Sequence, residues 1–324
     1  MLSEGRRMRQ WYGRSWYNRE VTPVQPPAVR RRRRGWWPVP PSLLVGLAPL
    51  VVFAVVSIVR SRPSDDYPAL GRTVDSVVRD LVVPEAVVAG ILALVVTALG
   101  WWRIATVDPA RGGPQWTMVA PLLVLAVCLG RLPLLDWGGK SLRYFLLLAL
   151  GVLLVGVVEE LMTRGVLLVG LRRRLPEIWV WALSCVLFGL LHFLNVLSGA
   201  PVATTVLQVV FATSFGSVLY LARRLTGNLL APVLLHAFWD FGAIGVSASA
   251  PGSVDVLLVG LLGLATIAVL LLGVVAGGLI AWRDDRGRRL RRRWRTVPPL
   301  GAAAVRGPDT GLPAGADAPV ELTS

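Results

Sequence analysis

Residues 143–170 read RYFLLLALGVLLVGVVEELMTRGVLLVG, an apolar stretch that contains Glu159, Glu160 and Arg164. A helix needs about 20 apolar residues to cross a bilayer, and only a helix or a closed barrel satisfies every backbone polar group in lipid. The stretch is long enough to span, and it lacks the period-2 alternation of barrel strands. It therefore predicts a transmembrane helix that carries ionisable groups at membrane depth.

The composition of the whole chain extends this prediction. Hydrophobic residues make up 54% of the 324 residues against 16% that are charged, and the mean hydropathy is +0.62, which excludes an ordinary soluble domain. Apolar stretches of spanning length recur and predict an all-α, polytopic transmembrane bundle of about eight spans. The expected spans are 42–60, 86–102, 117–135, 143–170, 178–197, 202–222, 229–247 and 254–281.

The bundle is expected to form one membrane domain, residues 42–281, with a tail at each end. Residues 1–41 are basic and rich in proline and aromatics, and residues 282–324 are basic and then rich in proline, alanine and glycine. Both tails are predicted to be disordered. Residues 61–84 are predicted to form a loop on the outer side. Residues 143–247 contain every glutamate and histidine of the predicted spans, so they are the candidate functional core.

Membrane topology accounts for the net charge of +15. Arginines cluster before the first span, after the last span, and in two short connections at 172–174 and 223–224. These clusters fall on one side of an eight-span bundle, so the positive-inside rule predicts a multi-pass plasma-membrane protein with both termini in the cytoplasm. We expect the arginines to act as topology signals and to contact anionic lipids; a nucleic-acid partner is not expected.

The fourth span assigns different tasks to its two glutamates. Glu160 and Arg164 are four residues apart, so their side chains meet on a helix and can pair, which lowers the cost of burying both charges. Glu159 points about 100° away from Glu160 and is left available as a general base. The alternative for both glutamates is a structural ion-pair cluster that joins helices.

Two further spans each contain a pair of residues four apart. The fifth span has Phe188 and His192, and the seventh has His236 and Asp240, so each pair lies on one helix face. A single histidine on an apolar helix is usually a satisfied core residue. These are the only two histidines of the chain, however, and three neighbouring spans each present a polar group at comparable depth. The pattern indicates one shared site within the membrane.

The ordered motifs E-E-x-x-x-R, F-x-x-x-H and H-x-x-x-D resemble those of the CPBP family, also called the Abi or CAAX-protease family. Its members are intramembrane proteases related to prenyl-protein endopeptidases and bacteriocin-processing proteins. The stretch 227–236, GNLLAPVLLH, is especially similar to the lead-in to the later histidine motif of that family. The resemblance covers the core 143–247 and neither tail. Each motif is weak by itself, but the three in order within apolar spans are a strong signal.

The resemblance implies an intramembrane endopeptidase that hydrolyses a peptide bond of a membrane-associated or lipidated protein or peptide. It implies that Glu159 and His192 activate water, and that His236 and Asp240 lie on the oxyanion side. The last family motif often ends in asparagine; because an ionised aspartate cannot donate to an oxyanion, Asp240 must be protonated, orient His236 or coordinate a metal. The candidate catalytic residues are Glu159, Glu160, Arg164, His192, His236 and Asp240, supported by Phe188.

Cofactor use and two other functions stay open at this point. Two histidines and a carboxylate are a familiar zinc ligand set, so a metal would be expected on Glu159, His192 and His236. The H-E-x-x-H motif is missing, and a glutamate base that acts with histidine needs no ion, so no cofactor is favoured. The other functions are a non-catalytic membrane scaffold or immunity protein and a proton-coupled transporter. The oligomeric state is open, with Gly273 and Gly277 expected to pack within the monomer.

Overall fold

The computed structural model describes residues 39–60, 71–108, 110–249 and 255–296, with the side chains of all but Arg60 and residues 288–296. This part of the chain is helical and contains no strand. Of its helices, seven are long and apolar enough to cross a membrane, and α1 is a shorter apolar helix. The protein is an all-α, multi-pass bundle of roughly eight spans, as predicted. The helices are α1 (Leu43–Arg60), α2 (Val74–Leu99), the short α3 (Trp102–Thr106), α4 (Gln115–Leu134), α5 (Leu142–Arg172), α6 (Glu177–Ser198), α7 (Val202–Thr226), α8 (Leu230–Ser247) and α9 (Val256–Thr296).

Helix α2 begins earlier than the sequence predicts. The expected loop 61–84 is helical from Val74 onward, while residues 61–70 lie outside the described part of the chain. Thr73 and Ser76 form a capping box, in which each side-chain oxygen accepts from the backbone N–H of the other, at 3.1 and 3.0 Å. The prediction was wrong here because charged residues interrupt the apolar pattern of the first turns, whereas a capping box starts a helix whatever its hydropathy.

Helix α9 is also longer than predicted, because the first part of the expected tail 282–324 is helical to Thr296. Within this extension, the carboxylate of Asp285 accepts from the backbone N–H groups of Glu177 and Ile178, at 2.8 and 3.0 Å. Asp285 therefore caps the first turn of α6 from another helix, which satisfies donors that a helix start leaves free. The rest of this tail and nearly all of the N-terminal tail lie outside the described residues.

Helix α5 is the central helix of the bundle. It packs against α8, α1 and α2, while α6 lies along α7, and α9 packs on α4, α6 and α7. The π-helical turn Leu161–Leu167 in the middle of α5 is buried at every residue. It forms one hydrophobic core with Leu50 of α1, Val96 of α2 and Tyr220 of α7. A helix that is apolar on all sides is expected to lie in such a position.

Small residues let α9 approach α6 and α7 closely. A Cβ atom on Gly277 would meet Ser217 and would lie 2.6 Å from Nε1 of Trp181, and one on Gly273 would meet Val218. Ser217 Oγ accepts from Trp181 Nε1 at 2.7 Å and donates to the carbonyl of Gly273 at 2.8 Å. The prediction that both glycines pack within the monomer is confirmed.

Buried charges hold together the end of the bundle at which α5 and α7 end and α6 begins. Arg172 pairs with Asp108 at 2.8 Å and with Glu177 at 2.6 Å, and Tyr220 Oη donates to Glu177 at 2.8 Å. This cluster, named the ionic end below, joins the α3–α4 loop to the helices. Its members are Asp108, Arg172, Glu177, Tyr220, Arg223, Arg224, Asp284 and Asp285.

Two arginines of the ionic end are buried rather than lipid-facing. Arg223 is 0% exposed; its Nε lies 3.5 Å from Asp108, and its Nη1 donates to the carbonyl of Ala105 at 2.7 Å. Arg224 is 2% exposed and pairs with Asp284. The expected contact with anionic lipids is therefore not made by these two residues, because their side chains are buried and lie next to carboxylates inside the protein.

The charge of Asp108 depends on its arginine neighbours. Burial acts to raise the pKa of this carboxyl, but the guanidinium groups of Arg172 and Arg223 outweigh burial and hold the pKa below its ordinary value of 3.8. Asp108 is therefore ionised at neutral pH, and its ion pairs are fully formed there.

Gly227 ends α7 and fixes the position of α8. Its φ of 78° lies in the left-handed region that favours glycine, and its N–H donates to the carbonyl of Arg223 at 2.8 Å. The side chain of Asn228 then accepts from the backbone N–H of Ala231 at 3.0 Å and so caps the start of α8. This turn places His236 nearly two helical turns into the bundle.

Candidate active site

The glutamates of α5 lie where its α-helical part passes into the π-helical turn. Glu160 is the last residue of the α-helical part, and Leu161–Leu167 form the π-helix, a feature that is frequent at functional sites. Arg164 Nη1 donates to Glu160 Oε1 at 2.8 Å, and both side chains are 0% exposed. The ion pair predicted from the four-residue spacing is present.

Arg164 also ties α5 to two other helices. Its Nη1 donates to Thr163 Oγ1 and its Nη2 to the carbonyl of Gly216 on α7, both at 3.0 Å. Its guanidinium lies 4.1 Å over the ring of Phe188 on α6. A Cβ atom on Gly216 would lie 2.8 Å from Arg164 Nη2, so this close approach depends on glycine. Gly216 acts through its backbone, and sequence reasoning based on side-chain chemistry therefore missed it.

His236 lies at the centre of the site. Its Nδ1 is 3.1 Å from Glu160 Oε1. On the other side of the ring, Nε2 is 3.4 Å from Asp240 Oδ2 and 3.9 Å from Glu159 Oε2. Because Glu160 is already paired with Arg164 as a carboxylate, Nδ1 carries a proton and donates it. The other ring nitrogen, Nε2, is the one that faces Glu159 and Asp240.

Aromatic rings fix the plane of His236. Phe188 and Phe215 each contact the imidazole edge to face, with ring centroids 5.6 Å apart and interplanar angles of 84°. Phe215 in turn stacks on Trp239, at 4.8 Å. Phe215 was not predicted, because an apolar residue in an apolar span carries no sequence signal of its own.

Glu159 differs from Glu160 in having no anchoring partner. Its Oε2 is buried without a hydrogen bond, and its side chain is 19% exposed. Thr163 Oγ1 donates to the backbone carbonyl of Glu159 at 2.5 Å, so it does not engage the carboxylate. A carboxylate oxygen that is free beside an imidazole is able to accept a proton, as a general base must.

His192 joins the site through an aromatic ring. It lies where α6 changes from α-helix to the 3-10 turn His192–Ser198, and its Nδ1 is 3.2 Å from the carbonyl of Phe188. Since a carbonyl only accepts, Nδ1 carries the proton and Nε2 has a free lone pair. The His192 ring contacts the Phe188 ring at 5.4 Å, and that ring also contacts His236. Among the described contacts, no hydrogen bond joins His192 to Glu159.

A further cation reaches the site from outside the predicted core 143–247. The guanidinium of Arg131, on α4, lies 4.0 Å over the ring of Trp239 and interacts electrostatically with Asp240. Its sequence signal is its place within the predicted span 117–135, because a charge at membrane depth is costly and is usually functional.

The described residues do not form a metal site. They contain no group of three or more His, Cys, Asp or Glu side chains arranged to hold a metal ion. Of the three candidate ligands, Glu159 and His236 approach each other, but His192 is joined to them only through Phe188. As placed, these side chains do not fit a zinc ion.

Residues 141–242 match the family model described as Type II CAAX prenyl endopeptidase Rce1-like. The matched segment begins at the start of α5, ends within α8 and includes every predicted site residue. The segment is therefore similar to that of intramembrane proteases of the CAAX type. The resemblance to the CPBP family is confirmed over these residues. No curated protein and no solved structure matches the chain.

Proposed function

We propose that this protein is an intramembrane endopeptidase that hydrolyses a peptide bond of a membrane-associated or lipidated protein or peptide. The observation that carries the proposal is the position of His236, which is anchored by Glu160 and faces the unpaired carboxylate oxygen of Glu159. Peptide hydrolysis needs a proton acceptor for water and a donor for the oxyanion at one point. The CAAX-type family match over 141–242 supports the same reaction.

Glu159 is the general base. Its free Oε2 takes a proton from water while the water oxygen attacks the carbonyl carbon of the substrate. His192 assists, because its Nδ1 is engaged by the carbonyl of Phe188 and its Nε2 is free to accept the second hydrogen of that water.

His236 stabilises the oxyanion that forms. With a proton on each nitrogen, its Nδ1 donates to Glu160 and its Nε2 donates to the oxyanion. Asp240, 3.4 Å from Nε2, orients the ring, which an ionised aspartate is able to do. When the intermediate collapses, the C–N bond breaks and the proton held by Glu159 passes to the leaving amine. The water oxygen stays in the new carboxylic acid, which then releases its remaining proton to solvent.

The test is cleavage of a quenched-fluorescent peptide library by the purified protein in detergent. Wild-type protein is expected to cleave, and Glu159→Ala is expected to lose about 100-fold or more of the rate because the base is gone. Glu85→Ala, which changes a glutamate of α2 outside the site, is the matched control and should cleave normally. A zinc chelator should leave the wild-type rate unchanged. Normal cleavage by Glu159→Ala would contradict the proposal, and loss of cleavage on chelation would contradict its metal-free form.

The two alternative functions predict other outcomes. A scaffold or immunity protein would show no cleavage, and a Glu159→Ala strain would keep full biological activity. A proton-coupled transporter would show proton-driven uptake in liposomes that Glu159→Gln abolishes.

We also propose that both termini lie in the cytoplasm of a plasma-membrane protein. The arginines at 172–174 and 223–224 support this topology. Both native cysteines, Cys128 and Cys185, are buried, so a cysteine introduced at Ser324 provides a clean label site. A membrane-impermeant thiol reagent is expected to label Ser324→Cys only after the cells are permeabilised. Labelling in intact cells would place the C-terminus outside and reject the topology.

A further inference from the structure

The three carboxylates of the site differ in their counter-charges. Glu160 pairs directly with Arg164 at 2.8 Å. Among the described residues, Glu159 and Asp240 have no arginine or lysine nitrogen within 4.0 Å, and the one ion-pair neighbour of each is His236. An isolated carboxylate within the apolar part of a membrane is costly, and one histidine does not balance two carboxylates.

Arg131 supplies a positive charge next to Asp240. Its guanidinium lies 4.0 Å over the ring of Trp239, the residue before Asp240 in the chain. Its side-chain stem lies against the backbone of α8 just after Asp240, since a Cβ atom on Gly242 would lie 3.1 Å from Arg131 Cδ. Arg131 therefore runs along α8 past Asp240.

The surroundings of Arg131 contain one acid that acts on it. Its electrostatic partners are the Cys128 thiol and then Asp240, and Nη1 is buried without a hydrogen bond. Arg131 and Asp240 form no direct ion pair within 4.0 Å, so they act on each other through charge rather than through a shared hydrogen bond. A guanidinium whose donors are incompletely satisfied remains in a membrane span only if a nearby negative charge offsets its burial.

We propose that Arg131 is a positioning residue that acts through Asp240: it supplies positive charge that helps to balance the Asp240 carboxylate beside His236. The Asp240 carboxylate lies 3.4 Å from Nε2 of His236 and orients that ring by charge, which selects one of the three roles left open from sequence. The charge also explains how an aspartate stands where the family resemblance often has asparagine. The counter-charge comes from α4, outside the matched segment 141–242.

The charge coupling is tested without substrate, by thermal unfolding in detergent of Arg131→Gln, Asp240→Asn and the double variant. Each single change leaves one buried charge unbalanced and is expected to lower the Tm by about 2–4 °C or more. The double variant removes both charges, so its loss is expected to be at least about 2 °C smaller than the sum of the two single losses. The matched control pairs Asp240→Asn with Arg143→Gln, an exposed arginine of α5, and should be additive. Additive losses for Arg131 and Asp240 would overturn the proposal.

A second measurement, of turnover, rests on the proposed function. Arg131→Gln is expected to lower kcat on the order of 10-fold with KM nearly unchanged, as for other groups that support a catalytic residue. Arg131→Lys keeps the charge and should recover much of that loss, whereas in an Asp240→Asn background Arg131→Gln should cause little further loss. A raised KM with unchanged kcat would instead show that Arg131 binds substrate and would reject the positioning role. If the protein cleaves no peptide, the proposed function fails, but the unfolding experiment still decides the charge coupling.

Discussion

The Nδ1 of His236 lies 3.1 Å from Oε1 of Glu160, the same oxygen that accepts from Arg164 at 2.8 Å. From sequence, Glu160 pairs with Arg164 alone. In the folded protein one carboxylate oxygen joins two motifs that stand 76 residues apart. This relationship gives Glu160 a structural task, the anchoring of His236; in the proposed mechanism it leaves the adjacent Glu159 for the chemistry.

Replacement by alanine is therefore expected to affect stability at Glu160 and cleavage without loss of stability at Glu159. Glu160→Ala leaves Arg164 buried without its carboxylate, and breaking a buried ion pair costs about 3–5 kcal/mol of the free energy of unfolding. Glu159→Ala removes a side chain that has no hydrogen bond at Oε2, so it should change stability little while abolishing cleavage. Thermal unfolding and peptide cleavage of both variants check this. Equal losses of stability would contradict the division of tasks.

Arg164 is expected not to be replaceable by lysine. Its guanidinium donates in three directions, to Glu160, Thr163 and the carbonyl of Gly216, whereas an ammonium on a flexible stem does not reproduce that planar arrangement. Arg164→Lys should lower the free energy of unfolding by about 1–3 kcal/mol and should slow cleavage, because the anchor of His236 moves. Arg143→Lys, at an exposed position of α5, is the control. Unchanged stability in Arg164→Lys would show that charge alone suffices at this position.

The ionic end should make stability depend on pH through Asp108. Its folded pKa lies below the ordinary value of 3.8, so its contribution is complete above that value and is lost as the pH falls through the lowered pKa. At pH 7, Asp108→Asn should lower the free energy of unfolding by about 1–3 kcal/mol. The difference from wild type should narrow as the pH falls below about 4. Unfolding of both proteins in detergent from pH 3 to 7 measures this difference in free energy. A difference that stays constant with pH would contradict the lowered pKa of Asp108.

Two glycines of α9 should differ in their tolerance of alanine. A Cβ atom on Gly277 would meet Ser217 and Trp181, whereas one on Gly260 would have nothing within 4 Å. Gly277→Ala should lower the free energy of unfolding by about 1–3 kcal/mol through overpacking. Gly260→Ala should be neutral or stabilise by up to about 1 kcal/mol, because alanine favours helix. The two melting temperatures decide this, and a stable Gly277→Ala variant would show that α9 is free to shift.

The boundaries of the helices show where local pattern stops being informative. Hydropathy located the spans because each must cross lipid by itself, yet it missed the start of α2, where a capping box precedes charged turns. It also ended α9 too early, since a contact with α6 through Asp285 lies in the charged extension. Both errors occur where a helix is stabilised by something other than lipid.

The sequence by itself determined the helical bundle, its apolar spans and the Glu160–Arg164 ion pair, because each depends on residues within one helix, through burial in lipid or a four-residue spacing. The tertiary structure alone decided that His236 contacts Glu160, that Phe188 contacts both histidines, and that Arg131 packs on Trp239, next to Asp240 in the chain. These relationships depend on how separate helices rotate and shift against one another. That arrangement is set by packing between segments far apart in the chain, which no local pattern encodes.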